Sequence, residues 1–138
     1  MKLTGAQLNH LRATLLISEE RMDKIIGLCK TNEKKGILYC IKNNLSEQEN
    51  KQVKNGIIGM KMVIKQLAKD LNLERQENNT RRIIGSFLSL LWEDLYSATS
   101  KELNCYGTVD ESTRIELDPI ISRLIKTCDK MIRDFRNA

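Results

Sequence analysis

The stretch SEQENKQVKNGIIGMKMVIKQLAKDL, residues 46–71, decides the fold class. Ser46 and Glu49 at its start have the spacing of a capping box, in which each side chain accepts a hydrogen bond from the other residue's backbone N–H group. Apolar residues then recur at alternating spacings of four and three, which places them along one side of a helix. These are Val53, Ile57, Met60, Ile64, Leu67 and Leu71. The pattern predicts a long helix whose apolar seam packs against other helices.

Two more segments show helical periodicity. Thr4 and Gln7 form another capping box, and the apolar spacing after it predicts a helix over Gly5–Lys30. The polar segment Asn72–Asn79 is predicted to be the main loop, and a third helix is predicted over Thr80–Leu103. With a single proline in 138 residues, long uninterrupted helices are expected.

The fourth predicted helix has two candidate starts. Asp118 followed by Pro119 fits an N-cap with proline in the first turn, and this is the preferred start. A start near Asp110 with a kink at Pro119 is the alternative. The seam of this helix is Ile121, Leu124, Cys128, Met131 and Phe135.

The segment between the first two long helices is ambiguous. Its apolar run, Ile37–Ile41, fits a short helix or a strand. A short helix is expected, because no second strand is evident for it to pair with. The predicted fold is therefore all-α, a single domain over residues 1–138. It is an antiparallel four-helix bundle with an additional short helix between helices 1 and 2.

Composition excludes several classes of protein. At 41% hydrophobic and 30% charged residues, the chain falls in the globular range. The longest uncharged apolar stretch, Ile83–Trp92, has half of the roughly 20 residues needed to span a bilayer. No signal-peptide core is evident, and the four cysteines lie far apart without C-x-x-C spacing. A cytoplasmic location is expected.

No catalytic motif is evident. Glu-x-x-His pairs, His-Glu-x-x-His, G-x-S-x-G and the P-loop are absent from the sequence. The single histidine, His10, is expected to be a solvated surface residue. Asp94 falls on the apolar side of the third helix, where a carboxylate is expected to pair with a basic residue of another helix. The protein is therefore not expected to be an enzyme, nor to hold a cofactor, metal ion or small-molecule substrate.

The third helix is unusually apolar around its circumference. A helix of this kind is either the best-buried member of a bundle or faces a second partner. Leu88, Trp92 and Tyr96 are candidate interface residues, because aromatic side chains are favoured at protein interfaces. The leading hypothesis is a protein-interaction or self-assembling adaptor that forms a homo-oligomer.

Basic side chains form two stripes along predicted helices. They are Lys51, Lys54, Lys61, Lys65 and Lys69 on the second helix and Arg123, Lys126, Lys130 and Arg133 on the fourth. Such stripes can follow a phosphate backbone, so the alternative hypothesis is a nucleic-acid-binding accessory protein. The segment Lys24–Lys42 has the strongest basic bias, with five basic residues against Glu33 alone. No membrane contact is expected, because the apolar seams of the helices are needed for the core.

Overall fold

The computed structural model describes residues 1–136, and they are mostly helical. The helices are α1 Gly5–Lys30, α2 Glu47–Asp70, α3 Thr80–Tyr96, α4 Ser100–Leu103 and α5 Glu111–Arg136, with a 3-10 turn over Asn104–Tyr106 after α4. Two short strands, β1 Glu33–Lys35 and β2 Cys40–Lys42, lie between α1 and α2. The all-α class is confirmed. The chain divides into two compact units, Met1–Arg75 and the part from Gln76 onward.

The first unit is a helical hairpin formed by α1 and α2. Both predicted capping boxes are present, at Thr4 and at Ser46. Asn43, just before α2, bonds to the Leu28 and Cys29 carbonyl oxygens near the end of α1. Asp23, seven residues before the end of α1, forms an ion pair with Lys61, well inside α2, so the two helices run antiparallel. Cys29 and Ile57 are the fully buried apolar residues of this unit among those described.

A β-hairpin occupies the place where a short helix was predicted, and that prediction is wrong. Lys34 pairs with Ile41, and the two antiparallel strands are joined by the turn Gly36–Tyr39. The prediction overlooked the partner strand, which is Glu33–Lys35, immediately upstream of the apolar run. The β-branched and aromatic residues that follow favour an extended chain once that partner is available.

The second unit pairs α3 with α5. The Cys128 thiol donates a hydrogen bond to the Leu88 carbonyl oxygen at 3.3 Å. Near the start of α3, the Arg81 guanidinium lies 5.3 Å from the centre of the Phe135 ring, close to the end of α5. The helices are therefore antiparallel, and Leu88 and Cys128 form the buried centre of their contact.

The third helix ends earlier than predicted, at Tyr96 instead of Leu103. The residues that follow carry hydroxyl groups that bond back to helix carbonyl oxygens. Ser97 donates to Glu93 and Thr99 donates to Tyr96. Ser86 and Ser89 form the same kind of bond inside α3 without ending it, so these bonds alone do not break the helix. The backbone of Thr99 is extended, and the Ser100 N–H group donates to Asp118 of α5, so the chain leaves the helix at Thr99 and restarts as the short helix α4.

The fifth helix starts at Glu111, so the preferred start at Asp118 is wrong and the alternative near Asp110 is confirmed. Asp110 accepts a hydrogen bond from the Thr113 backbone N–H group at 2.8 Å, as an N-cap does. Pro119 lies inside the helix. Ile115, whose carbonyl oxygen loses its N–H partner at Pro119, is exposed, so water can solvate this oxygen.

Candidate functional site

The second unit has one apolar side that its own two helices leave uncovered. With Leu88 facing α5, a rotation of 100° per residue places Phe87 on one side of the hairpin and Ser89 on the other. Cys128 is the corresponding contact residue of α5. In an antiparallel pair of helices, residues reached by the same rotation from the contact residue lie on the same side of the pair in both helices. The large apolar residues exposed on the side of Phe87, here called the apolar side, are Ile83, Ile84, Phe87, Leu90 and Leu91 of α3 and Ile120, Leu124 and Met131 of α5.

The three predicted interface residues lie away from this side. Leu88 is buried between α3 and α5 and belongs to the core of the hairpin. Trp92 is half-buried and stacks on Tyr96, with ring centroids 5.5 Å apart and planes inclined by 12°. The Trp92 indole nitrogen is buried without a hydrogen-bond partner among the described residues. Both aromatic rings lie toward the opposite side of the hairpin from Phe87.

That opposite side is polar and carries two open hollows. One, of about 450 Å³, is lined by Arg81, Arg82, Ser86, Phe135 and Arg136 among others. The other, of about 320 Å³, is lined by residues that include Trp92, Glu93, Asp129 and Arg133. Ser86 and Ser89 use their hydroxyl groups to bond their own helix backbone. Both hollows are open grooves between α3 and α5, and charged side chains such as Arg82 and Asp129 line them.

Asp94 is exposed, which corrects the prediction that it would be buried and paired. The apolar side on which it lies is itself exposed, so its carboxylate keeps its contact with water. Asp94 lines neither hollow. No side-chain pairing of Asp94 is present among the hydrogen bonds and ion pairs of residues 1–136.

The lysine stripe of α2 is divided between two environments. Lys54 and Lys61 are half-buried, and Lys51, Lys65 and Lys69 are exposed. The hydrogen bond to Asp23 raises the pKa of Lys61, and the nearby Asp23 and Glu19 charges act in the same direction. Lys61 is therefore a structural member of the α1–α2 contact.

The basic residues of α5 are exposed. These are Arg123, Lys126, Lys130 and Arg133. Acidic residues balance the charge of the second unit, which has nine basic against ten acidic residues from Gln76 onward. The first unit has fourteen basic against eight acidic residues and so carries the net positive charge.

The β-hairpin presents a feature that the sequence prediction missed. Ile37 and Leu38 are fully exposed at its tip, with relative exposures of 101% and 96%. The signal in the sequence was Gly36, which supplies a turn between two short runs that each include lysine. Because a short helix was expected in this segment, the turn at Gly36 was not recognised.

No group of three or more His, Cys, Asp or Glu side chains among residues 1–136 could hold an ion. All four cysteines are free thiols, with Cys29 and Cys128 buried and Cys40 and Cys105 exposed. Within the same residues, none of the helices has both the length and the apolar character needed to cross a bilayer.

Comparison of the chain with known protein families, with curated proteins and with solved structures finds no match. The class is therefore defined by the structure itself: a mostly helical protein of two helical hairpins, the first with a β-hairpin between its helices and the second with an exposed apolar side.

Proposed function

We propose that the protein acts by binding and not as an enzyme, and that its first partner is a second copy of itself. The observation that supports this most directly is the apolar side of the second unit. Phe87 is 61% exposed at its centre, between Ile83 and Leu91. Contiguous exposed apolar patches of this kind are uncommon on monomers and usually mark interaction surfaces.

The exposed surface area of the chain is large enough to include a surface that a partner covers. The chain exposes 11736 Å². A compact monomer of 15.9 kDa exposes about 7,400 Å², and two separate compact bodies of half that mass would together expose about 8,900 Å². The chain exceeds even the second value by about 2,800 Å². Obligate homodimers bury about 2,000–5,000 Å² in total. The excess is shared by both units, because the first unit also exposes large apolar side chains such as Met62 and Val63, so only part of it belongs to the apolar side.

A second copy fits the geometry of the apolar side. An antiparallel helix pair with one apolar side can pack on an identical pair about a two-fold axis, because each copy then offers the same surface. The product has four antiparallel helices around a common core. We propose that α3 and α5 of two copies form a four-helix bundle in this way, which differs from the bundle within one chain predicted from the sequence, and that the interface is centred on Phe87 instead of Trp92.

Light scattering tests this proposal. The wild-type chain should have a mass of about 32 kDa, twice that of one chain. Phe87→Asp places a charge in the apolar interface and should raise the dissociation constant at least about a hundredfold. Ser86→Asp is the matched control, because it adds the same charge to the polar side one residue away and should leave the dimer intact. A wild-type chain that stays monomeric over a wide concentration range contradicts the proposal.

A second candidate function is binding of a nucleic-acid backbone by the first unit. It is favoured by the exposed lysines of α2, Lys51, Lys65 and Lys69, and by the excess of basic residues in this unit. The triple variant Lys51→Glu/Lys65→Glu/Lys69→Glu should abolish binding to RNA or DNA without unfolding the protein. Wild-type binding should weaken steeply with salt, because each phosphate contact releases a counterion.

The choice of lysines matters for this experiment. Lys61 is excluded, because its reversal would place a carboxylate against Asp23 and destabilise the hairpin. The control is the reversal of Lys126 and Lys130, which lie in the second unit. If the α2 variant still binds, these lysines are only a solvated surface.

A further inference from the structure

The tip of the β-hairpin exposes two aliphatic side chains at positions where polar residues are usual. Ile37 and Leu38 lie between Gly36, whose N–H group donates to the Tyr39 carbonyl oxygen at 2.8 Å, and the start of β2. Turns of this size are dominated by Gly, Asn, Asp, Pro and Ser. Two fully exposed aliphatic residues are unfavourable in water, so the tip is suited to a medium that covers them.

The side chains behind the tip follow a fixed order. Tyr39 adjoins the aliphatic pair, and Lys34, Lys35 and Lys42 lie along the two strands. The single acidic residue of the hairpin, Glu33, is the backbone pairing partner of Lys42 at the end of the ladder farthest from the tip, and its carboxylate forms an ion pair with Lys35 at 3.7 Å. Behind the aliphatic tip and the aromatic ring there are therefore three lysines, of which Lys34 and Lys42 have no ion-pair partner among residues 1–136.

The hairpin is anchored to α1 at its base. The Asn43 backbone N–H group donates to the Asn32 carbonyl oxygen at 2.9 Å, and the Asn43 side chain reaches the Leu28 and Cys29 carbonyl oxygens at 3.5 Å. Near the tip, the Tyr39 ring lies over Gly36, where a β-carbon would overlap it. These contacts hold the tip beyond the end of α1.

We infer that this hairpin docks the first unit onto the surface of an anionic lipid bilayer. Ile37 and Leu38 enter the boundary of the hydrocarbon region, and Tyr39 lies at the level of the headgroups, where tyrosine is favoured. The lysines of the strands meet anionic headgroups, to which basic residues near a membrane surface are attracted. The sequence-based expectation of no membrane contact considered only the helices.

A bilayer fits these residues better than a nucleic acid does. Residues 22–74 contain no arginine, the usual side chain for reading a groove. The hairpin offers a single aromatic ring, Tyr39, whereas proteins that bind single strands stack successive bases on several rings. The first unit also carries the net positive charge of the chain, which complements an anionic surface.

Co-sedimentation with vesicles tests the inference. The wild-type chain should bind vesicles of phosphatidylcholine mixed with phosphatidylserine, and not vesicles of phosphatidylcholine alone. Ile37→Ser/Leu38→Ser should weaken binding at least about tenfold, because the aliphatic contact with the bilayer is lost. Met62→Ser, which removes an exposed apolar side chain from α2, is the matched control and should bind as the wild type does.

Charge reversal provides an independent test of the same inference. Lys34→Glu/Lys35→Glu should weaken binding to the anionic vesicles, whereas Lys51→Glu/Lys69→Glu changes the net charge equally on α2 and should have a much smaller effect. A Leu38→Trp variant should gain blue-shifted fluorescence when it binds, which reports insertion of the tip itself.

Three results would overturn the inference. These are no binding of the wild-type chain to the anionic vesicles, vesicle binding that the tip variant retains in full, and capture of duplex DNA or an acidic protein through the tip without vesicle binding. None of them depends on the dimer at Phe87, so the two proposals fail separately.

Discussion

Asp118 shows how a single side chain can cap a helix other than its own. It lies inside α5, yet its carboxylate accepts bonds from the Ser100 hydroxyl at 2.7 Å and from the Ser100 N–H group at 3.0 Å. Ser100 is buried in the first turn of α4. The prediction that Asp118 is the N-cap of the fourth helix was wrong, because spacing along the chain reveals only local neighbours and Ser100 lies 18 residues away.

The same contact predicts an acid-dependent loss of stability. The hydroxyl and N–H bonds from Ser100 lower the pKa of Asp118, because both favour the charged carboxylate. A carboxyl group with a lowered pKa in the folded state contributes stability above about pH 4, and this contribution is lost as the pH falls further. The free energy of unfolding of the wild type should therefore approach that of Asp118→Asn in acid.

Denaturant unfolding from neutral pH to below about pH 4 measures this difference. Ser100→Ala is the control, because it removes the hydroxyl donor and should diminish the same acid-dependent part. A difference between wild type and Asp118→Asn that does not vary with pH would show that the bond to Ser100 does not stabilise the charged form.

At the scale of the elements, apolar periodicity located all four long helices, and capping boxes correctly marked the starts of the first two. Prediction from the sequence failed where local patterns were ambiguous. The run Ile37–Ile41 is too short for its spacing to distinguish a helix from a strand, and pairing across the Gly36 turn decided the outcome. The end of α3 was missed because the chain turns at Thr99, where Ser100 bonds to Asp118 of α5, and spacing does not show a contact so distant in sequence.

Packing within the first hairpin gives a matched pair of substitutions. Ile57 is 4% exposed on the side of α2 that meets α1, and the adjacent Ile58 is 56% exposed. Ile57→Ala should lower the free energy of unfolding by about 2 kcal/mol, because it leaves a cavity. Ile58→Ala should change it by less than about 0.5 kcal/mol. Chemical denaturation measures both, and equal effects would mean that Ile57 is not the centre of the α1–α2 contact.

At the scale of the whole molecule, the sequence could not show what covers each apolar side. Periodicity marks a side of a helix but not its partner, and most of the apolar side around Phe87 remains exposed within its own unit. The same limit explains Asp94, which was expected to be buried because its neighbours are apolar. If a second copy covers this side, the thermal midpoint should also rise with protein concentration, since association stabilises the folded state.

The hairpin topology of both units has a kinetic consequence. The helices of each pair are close along the chain: residues 31–46 connect α1 to α2, and residues 97–110 connect α3 to α5. Contacts between such neighbours close short loops, so little chain entropy must be lost before they form. Proteins dominated by local helical contacts fold within microseconds to milliseconds. Each hairpin can therefore form before two chains meet, and the slow, concentration-dependent step is left to association.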